Sequence, residues 1–268
     1  MKIKIENLYF GYSKDKLILN NISFGIETGE TIAIVGASGC GKSTLLRIIS
    51  DILPNIGNHL KGNIEIEGMT PDQYRQTGML TFMFQEATLM PHLTVKHNIE
   101  LPLKIKGQSN EQKINNLIKA VGLEEYCNYL PKQLSGGMKT RVALARSFST
   151  NPELLLLDEP FSALDIAWKS KLYVELERLR EERATTVIVV THDVQEALLL
   201  ADHVIVMNRF GSIETNKEIK SDYNIMQRVN DISGYMNSVY ESYMLPIQDA
   251  IINGQSKGNE KQTSIHIA

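Results

Sequence analysis

A glycine-rich turn between an apolar strand and a helix constrains this chain most. In residues 31–49, TIAIVGASGCGKSTLLRII, the β-branched run at 32–35 is typical of a buried strand, and a helical pattern begins after Lys42. The turn matches G-x-x-x-x-G-K-[ST]. Its glycines let several backbone N–H groups converge on one anion, and the following helix adds the positive end of its dipole. The segment therefore predicts a loop that binds a nucleoside triphosphate.

The side chains of this loop predict separate contacts. Lys42 would reach the terminal phosphates as a point charge, and the Ser43 hydroxyl would be a ligand of Mg²⁺. Cys40 is interpreted as a small filler with some sensitivity to oxidation. A turn that binds nothing is the weaker alternative, because the full pattern stands in a strand–turn–helix setting. The residues expected to contact the nucleotide are Gly36, Ala37, Ser38, Gly39, Cys40, Gly41, Lys42, Ser43 and Thr44.

Composition and charge limit the kinds of function that this chain can have. The 268 residues are 43% hydrophobic and 22% charged, which is ordinary for a globular protein. A formal net charge of -3 provides no electrostatic case for a nucleic-acid partner. Apolar runs are too short to span a membrane, and the first residues alternate like a strand without a signal-peptide pattern. With only two, widely separated cysteines, we expect a protein of a reducing, cytosolic compartment.

Two acids directly follow a second apolar strand. Residues 154–157 form a continuous leucine run, and Asp158 and Glu159 come next. Ligands of open α/β sheets bind beyond the carboxyl ends of the strands, so both acids are expected at the phosphate site. Asp158 suits the Mg²⁺ shell, and Glu159 suits a base or orienter for the attacking water. Acids also end strands for structural reasons, an alternative that the phosphate loop makes minor.

Three further positions have both a functional and a structural interpretation. Gln85 ends one predicted strand, where it could cap a loop or, in a nucleotide site, contact Mg²⁺ or the attacking water. His192 ends another strand at the same predicted sheet edge, where it could sense the γ-phosphate or be a turn residue. Tyr9, Phe10 and Tyr12 cluster near the N-terminus, where an aromatic ring could stack on the base or pack against the core. Spacing does not choose among the three aromatics.

A second potential anion site lies at the start of another helix, in the segment LSGGM at residues 134–138. Ser135 is a good N-cap, and Gly136 and Gly137 leave the helix N-terminus bare. A capped helix explains Ser135 but not the glycines, because Gly weakens a helix. We therefore expect another group to approach this backbone closely. Since the chain carries one phosphate loop, the second site favours a nucleotide held by another copy of the chain.

These motifs resemble those of the ATP-binding subunits of ABC transporters, in the family's order, over residues 1 to about 215. GASGCGKST looks like Walker A, LSGGM like the signature motif and LLLLDE like Walker B. Gln85 resembles the Q-loop, Asp165 in SALD the D-loop, and His192 the switch histidine. Tyr12 resembles by position the aromatic that stacks on adenine. Walker A alone is shared with kinases, GTPases and helicases, whereas LSGG upstream of LLLLDE is specific to this family.

The resemblance implies an α/β fold: a P-loop NTPase (ABC ATPase) core with an N-terminal antiparallel β part and an inserted α-helical subdomain at about 86–150. The ATPase domain would span 1–220, and a C-terminal extension at 221–268 would be partly helical and then disordered. The residues within and around the motifs are most similar to those of importer ATPases of the nitrate/sulfonate/taurine group. Met138 replaces the usual signature glutamine, as in that group. His92, however, stands where an aromatic residue is common.

The resemblance also implies ATP and Mg²⁺ as cofactors and a head-to-tail dimer. Each ATP would lie between Walker A of one copy and the signature helix of the other. The partners would be transmembrane permease subunits and a solute-binding protein, with this chain at the cytoplasmic face of the membrane. A non-transport ABC ATPase is the alternative, and a non-catalytic cassette is a third. The implied site residues are Glu159, His192 and Gln85 for catalysis; Ser43, Gln85 and Asp158 for the metal; and Tyr12, Ser135, Gly136, Gly137 and Asp165 beside the loop for the nucleotide.

Overall fold

The computed structural model describes residues 3–13, 16–53 and 59–219. Strands and helices alternate along most of this range. The strands are β1 (Ile3–Phe10), β2 (Leu19–Ile26), β3 (Thr31–Gly36), β4 (Leu60–Ile66), β5 (Leu80–Met83), β6 (Leu154–Asp158), β7 (Thr186–Thr191), β8 (His203–Met207) and β9 (Ile213–Glu218). The helices are α1 (Lys42–Ile49), α2 (Pro71–Gln76), α3 (Val95–Ile105), α4 (Glu111–Ala120), α5 (Gly136–Phe148), α6 (Ile166–Arg183) and α7 (Val194–Leu200).

The N-terminal strands form an antiparallel sheet of three, in the order β2-β1-β4. In β1 the side chains of Ile3, Ile5, Leu8 and Phe10 are buried, whereas Lys4 is exposed. This alternation is expected of a strand that packs one face on a core. The sequence prediction of an N-terminal antiparallel β part is thus confirmed.

The larger sheet has six strands in the order β5-β6-β7-β3-β8-β9. All neighbouring strands are parallel except β8 and β9. Every residue of β3, β6 and β7 is buried, because both faces of a central parallel strand are covered. The register pairs Val35 with Thr191 and Asp158 with Val190. The carboxyl ends of these three strands therefore meet at one edge.

Alternate residues of the central strands enter different cores. Ala33, Val35, Leu155 and Leu157 pack in one apolar cluster with residues of α3, α4, α5, α6 and α7. Ile32, Ile34, Leu154 and Leu156 pack in the other with α1 and the antiparallel sheet. Successive strand side chains point to opposite faces, so the six-stranded sheet is the middle layer of the fold. The predicted α/β class is confirmed.

The end of the sheet differs from what apolar runs in the sequence predict. The last such run is the strand at residues 203–207, but β9 follows and pairs with it in antiparallel fashion. The sequence of β9, IETNKE, is polar because the strand lies at the sheet edge, so it lacks an apolar signal.

Helices α3, α4 and α5 lie within the predicted subdomain at 86–150. The predicted extension at 221–268 lies outside the described residues, and within those residues no helix is both long and apolar enough to cross a membrane.

Candidate nucleotide-binding and hydrolysis site

The phosphate loop joins β3 to α1 and depends on glycine at both of its ends. A Cβ added at Gly36 would lie 2.6 Å from the Met207 carbonyl oxygen and 2.8 Å from the Cys40 sulfur. Gly41 is the N-cap of α1 with φ 104°, a left-handed conformation that side chains rarely adopt. A Cβ there would lie 2.9 Å from the Ile18 carbonyl oxygen. The two glycines therefore let the loop curl tightly between β8 and the start of β2.

The ammonium group of Lys42 lies inside this loop. Its Nζ donates to the carbonyl oxygen of Gly36 at 2.7 Å and to that of Ala37 at 3.1 Å, and the side chain is 5% exposed. Cys40 is buried next to it, and burial raises the pKa of the thiol even though the charge of Lys42 acts in the opposite direction. A thiol held protonated is a poor nucleophile, which suits the interpretation of Cys40 as a filler. Lys42 is the positive charge at the centre of the loop.

Ser43 and Asp158 come together from opposite parts of the chain. The Ser43 hydroxyl donates to Asp158 Oδ1 at 2.7 Å, since β6 and β3 end at the same sheet edge. Asp158 is fully buried, and its Oδ2 has no hydrogen-bond partner within the described residues. Burial raises the pKa of Asp158, although the hydrogen bond from Ser43 opposes the rise. A buried carboxylate oxygen without a partner beside a hydroxyl fits the oxygen ligands that Mg²⁺ prefers.

Glu159 contacts both of the residues whose roles the sequence left open. Its Oε2 accepts a hydrogen bond from Gln85 Nε2 at 3.2 Å and lies 3.3 Å from His192 Nδ1. The backbone of Glu159 has φ 48°, and its N–H donates to the Val190 carbonyl oxygen at 2.9 Å. A left-handed residue of this kind persists only where its surroundings hold it. The turn after β6 therefore fixes the carboxylate between Gln85 and His192.

The signature segment is placed differently from the expectation for its two glycines. Ser135 caps α5, with its hydroxyl accepting from the Met138 N–H at 3.3 Å. A Cβ on Gly137 would lie 3.1 Å from the Ala163 carbonyl oxygen, so the close approach there comes from the chain's own loop. A Cβ on Gly136 would meet open space. Of the two glycines, only Gly136 therefore has open space beside its Cα that another molecule could enter.

Asp165 and Tyr12 are two further residues that the sequence predicts to contact the nucleotide. Asp165 Oδ1 accepts from the Trp168 N–H at 3.0 Å and so caps α6, a structural contact that the D-loop motif alone did not predict. Tyr12 is 57% exposed and packs its ring against Phe10 in an edge-on contact at 5.1 Å. Phe10 itself is buried, and Tyr9 is half-buried. Of the three N-terminal aromatics, Tyr12 is the one with a ring available for stacking.

The side chains that hold the chain on either side of His192 were not predicted from the sequence. Glu196 is buried at the start of α7, where it accepts from Tyr173 at 3.1 Å and from the hydroxyl of Thr191. Asp193 caps the same helix through the N–H groups of Gln195 and Glu196. An acid at the cap followed three residues later by glutamate is a helix-start pattern that could have marked this turn. The pattern holds the chain on both sides of His192.

The site defines a class of protein. A phosphate loop at the end of a central parallel strand, an acid bonded to the loop's hydroxyl and a second acid in contact with Gln85 and His192 are the parts of a P-loop nucleotide hydrolase. The sequence profile described as ABC transporter matches residues 19–162. This chain belongs to the ABC transporter family.

Individual relatives agree with the assignment. Aliphatic sulfonates import ATP-binding protein SsuB 2 of Pseudomonas syringae pv. tomato is 44% identical, over 80% of this chain and 84% of its own length. Spermidine/putrescine import ATP-binding protein PotA of Thermotoga maritima is 42% identical over 77% of this chain, but the match spans only 56% of that protein. A solved dimeric structure of the ATP-binding cassette MJ0796 bound to ADP and Pi superposes with a TM-score of 0.73 at 32% identity, covering 82% of this chain and 99% of that one.

Membership of the ABC transporter family distinguishes between a transporter subunit and a non-transport ATPase, two functions that the sequence left open. The chain is an ATP-binding and ATP-hydrolysing cassette of an ABC transporter. The alternative of a non-transport ABC ATPase is not supported, since the relatives are import subunits. The roles of individual site residues stay predictions.

Proposed function

We propose that this chain drives solute import by Mg²⁺-dependent ATP hydrolysis in a head-to-tail dimer docked on a separate permease. The contact of Glu159 with both Gln85 and His192, beside the Lys42 loop, carries the hydrolytic part of the proposal. These groups come from three different strand ends, and a structural role alone does not require them to converge on one carboxylate. An orienting acid between an amide and an imidazole suits the activation of water.

Each group then has a separate task. Lys42 neutralises charge on the terminal phosphates, and backbone N–H groups of the loop bind them. Ser43, Asp158 and Gln85 would hold Mg²⁺, which supplies further neutralisation of the phosphate charge when it is bound. Glu159 accepts a hydrogen bond from the attacking water and aligns it, and His192 donates to the γ-phosphate. Tyr12 stacks on the base.

The dimer is proposed from the signature helix. Ser135 leaves the N-terminus of α5 capped at one N–H only, and Gly136 beside it faces open space. The positive end of a helix with free N–H groups binds a phosphate well. No second phosphate loop precedes this helix, so a nucleotide held by another copy is the ligand that fits. The solved cassette with the similar fold is a dimer.

Import rather than export is proposed from the relatives, whose names describe import subunits. The two relatives of nearly equal identity carry names for unlike solutes, an anionic sulfonate and a cationic polyamine. The solute is therefore not encoded in this subunit, and it would be selected by the permease and a solute-binding protein. Docking on the permease would place the chain at the cytoplasmic face of the membrane.

The test is the substitution Glu159→Gln, which keeps the shape of the side chain and removes its charge. We expect the variant to bind ATP normally, to lose turnover by about 10²–10⁴-fold, and to form a stable dimer with Mg²⁺ and ATP. ATP affinity, phosphate release and sedimentation would be measured in parallel. Glu214→Gln, which makes the same change on the exposed edge strand β9, is the matched control. Near-normal turnover of Glu159→Gln would remove Glu159 from the proposed role, and failure to pair with ATP would refute the dimer.

A further inference from the structure

The single tryptophan of the chain connects three segments that are distant in sequence. Trp168 lies in the first turn of α6, and its ring is contacted by two cations. The guanidinium carbon of Arg141 lies 3.9 Å from the ring centroid, and Lys171 Nζ lies 4.4 Å from it. An aromatic face with a cation this close attracts it electrostatically, and the attraction grows where water is excluded.

Arg141 extends this contact to the helical subdomain. It lies on α5, is only 9% exposed, and donates from Nη1 to the Val121 carbonyl oxygen at 2.7 Å. Burial lowers its pKa, while the charge of Asp165 acts to raise it. The turn after α4 also touches the ring directly, because a Cβ added at Gly122 would lie 2.0 Å from Trp168 Cη2. The indole is thus packed between α5, the turn after α4 and its own helix.

A second contact joins the start of α5 to the loop that precedes α6. Gly137, in the first turn of α5, approaches the Ala163 carbonyl oxygen closely. Asp165 caps α6 by accepting from the N–H of Trp168. The signature helix is therefore joined to the loop of residues 162–165 at Gly137, which meets the Ala163 carbonyl oxygen. It is joined to the first turn of α6 by the stacked pair of Arg141 and Trp168.

We propose that Trp168 is a positioning residue for the reaction: it holds the N-terminus of α5 and the loop that carries Asp165 in one rigid arrangement, so that both meet the partner copy's nucleotide together. This inference rests on the proposed head-to-tail dimer. Trp168 itself touches neither the phosphate loop nor Glu159 in the contacts described for it. Its loss should therefore spare nucleotide binding by the chain's own loop and weaken the step that needs two copies.

The experiment uses the full chain with Glu159→Gln as the parent, because that variant is expected to keep the dimer closed. Trp168→Leu retains an apolar side chain and removes the aromatic face, and Trp168→Phe restores a ring. Val174→Ala, at an exposed position of the same helix, is the matched control. Affinity for a fluorescent ATP analogue, the dimer dissociation constant in ATP and Mg²⁺, and the melting temperature by circular dichroism would be measured for each.

The expected result is a dimer about tenfold weaker in Trp168→Leu and within about threefold of the parent in Trp168→Phe, since one buried cation–π contact is lost and then largely restored. ATP affinity should be unchanged in both variants. Unchanged pairing of Trp168→Leu overturns the inference, and so does a parallel fall in ATP affinity, which would indicate a merely structural role. If Trp168→Leu does not fold, Trp168→Phe is compared with Arg141→Met, which lacks the cation over the ring. Equally weak pairing of these two variants overturns the inference. If the Glu159→Gln parent itself does not pair in ATP and Mg²⁺, the proposed dimer is refuted. That outcome is distinguished from the others because it appears before Trp168 is changed.

Discussion

Asp158 gives a prediction in which stability and activity change in opposite directions. The carboxylate is fully buried, accepts one hydrogen bond from Ser43 through Oδ1, and has no partner for Oδ2 within the described residues. Because burial raises the pKa of Asp158, the charged form is disfavoured in the folded protein. The substitution Asp158→Asn keeps the shape and the acceptor for Ser43 while removing the charge.

The magnitude follows from the cost of a buried group without a partner, about 1–3 kcal/mol. The amide of asparagine still leaves an N–H group at the position of Oδ2, so only part of this cost is recovered. We expect Asp158→Asn to be more stable than the wild type by about 1 kcal/mol at pH 7 without nucleotide. For a domain of this size that difference raises the melting temperature by about 2–4 °C.

The pH dependence follows from the direction of the pKa shift. A carboxyl whose folded pKa is raised binds its proton more tightly in the folded state, so wild-type stability falls as the pH rises through that folded pKa. Asp158→Asn lacks this loss. The advantage of the variant should therefore be larger at pH 7 than at pH 4, because the wild type loses stability as the pH rises from the unfolded pKa of about 3.9 towards the raised folded pKa.

The assay is urea denaturation at pH 4 to 7.5 without ligand, followed by turnover with ATP and Mg²⁺. Because the variant lacks a charged oxygen for the metal, turnover should fall by about 10²-fold or more. Glu218→Gln, an exposed change of the same charge, should alter neither stability nor turnover. A ligand-free variant less stable than the wild type at pH 7, or an advantage that persists unchanged at pH 4, would refute this account of Asp158.

Three further predictions concern the phosphate loop, the signature helix and a half-buried lysine. Lys42→Ala should mainly abolish ATP binding, and an unchanged ATP affinity by isothermal titration would contradict the assignment of the loop. Gly136→Ala should raise the melting temperature, because alanine stabilises a helix by about 0.5–1 kcal/mol over glycine and its Cβ meets open space, yet it should weaken ATP-driven pairing; normal pairing would show that no partner approaches here. Lys113 donates to Asn151 Oδ1 at 2.6 Å, and burial together with the charges of Arg183 and Arg178 lowers its pKa to about 8. Relative to Lys113→Met, the wild type should therefore gain stability as the pH rises from about 8 towards 10 in urea titrations, and a loss over that window would contradict the shift.

Much of the site could be predicted from the sequence because its parts are local. The loop needs its glycines, Lys42 and Ser43 at fixed spacing, and the buried run before Asp158 and Glu159 marks the end of a central strand. The position of His192 after β7 follows from the same rule. Each of these signals lies within a few residues of the chemistry that it predicts.

Other features depend on which elements become neighbours, and periodicity does not report that. The strand order β6-β7-β3 brings Asp158 to Ser43, and the turn after β6 places Glu159 between Gln85 and His192. Edge strand β9 was missed because an edge needs no apolar run.

The sequence by itself determined the class of chemistry, since the anion-binding turn and the pair of acids are each a short run of consecutive residues. Only the tertiary structure decided how the first half of α5 is held: Gly137 lies against Ala163, and Arg141 stacks on Trp168. The physical reason is that packing contacts join surfaces far apart along the chain. Their partners depend on the layer order of the whole fold.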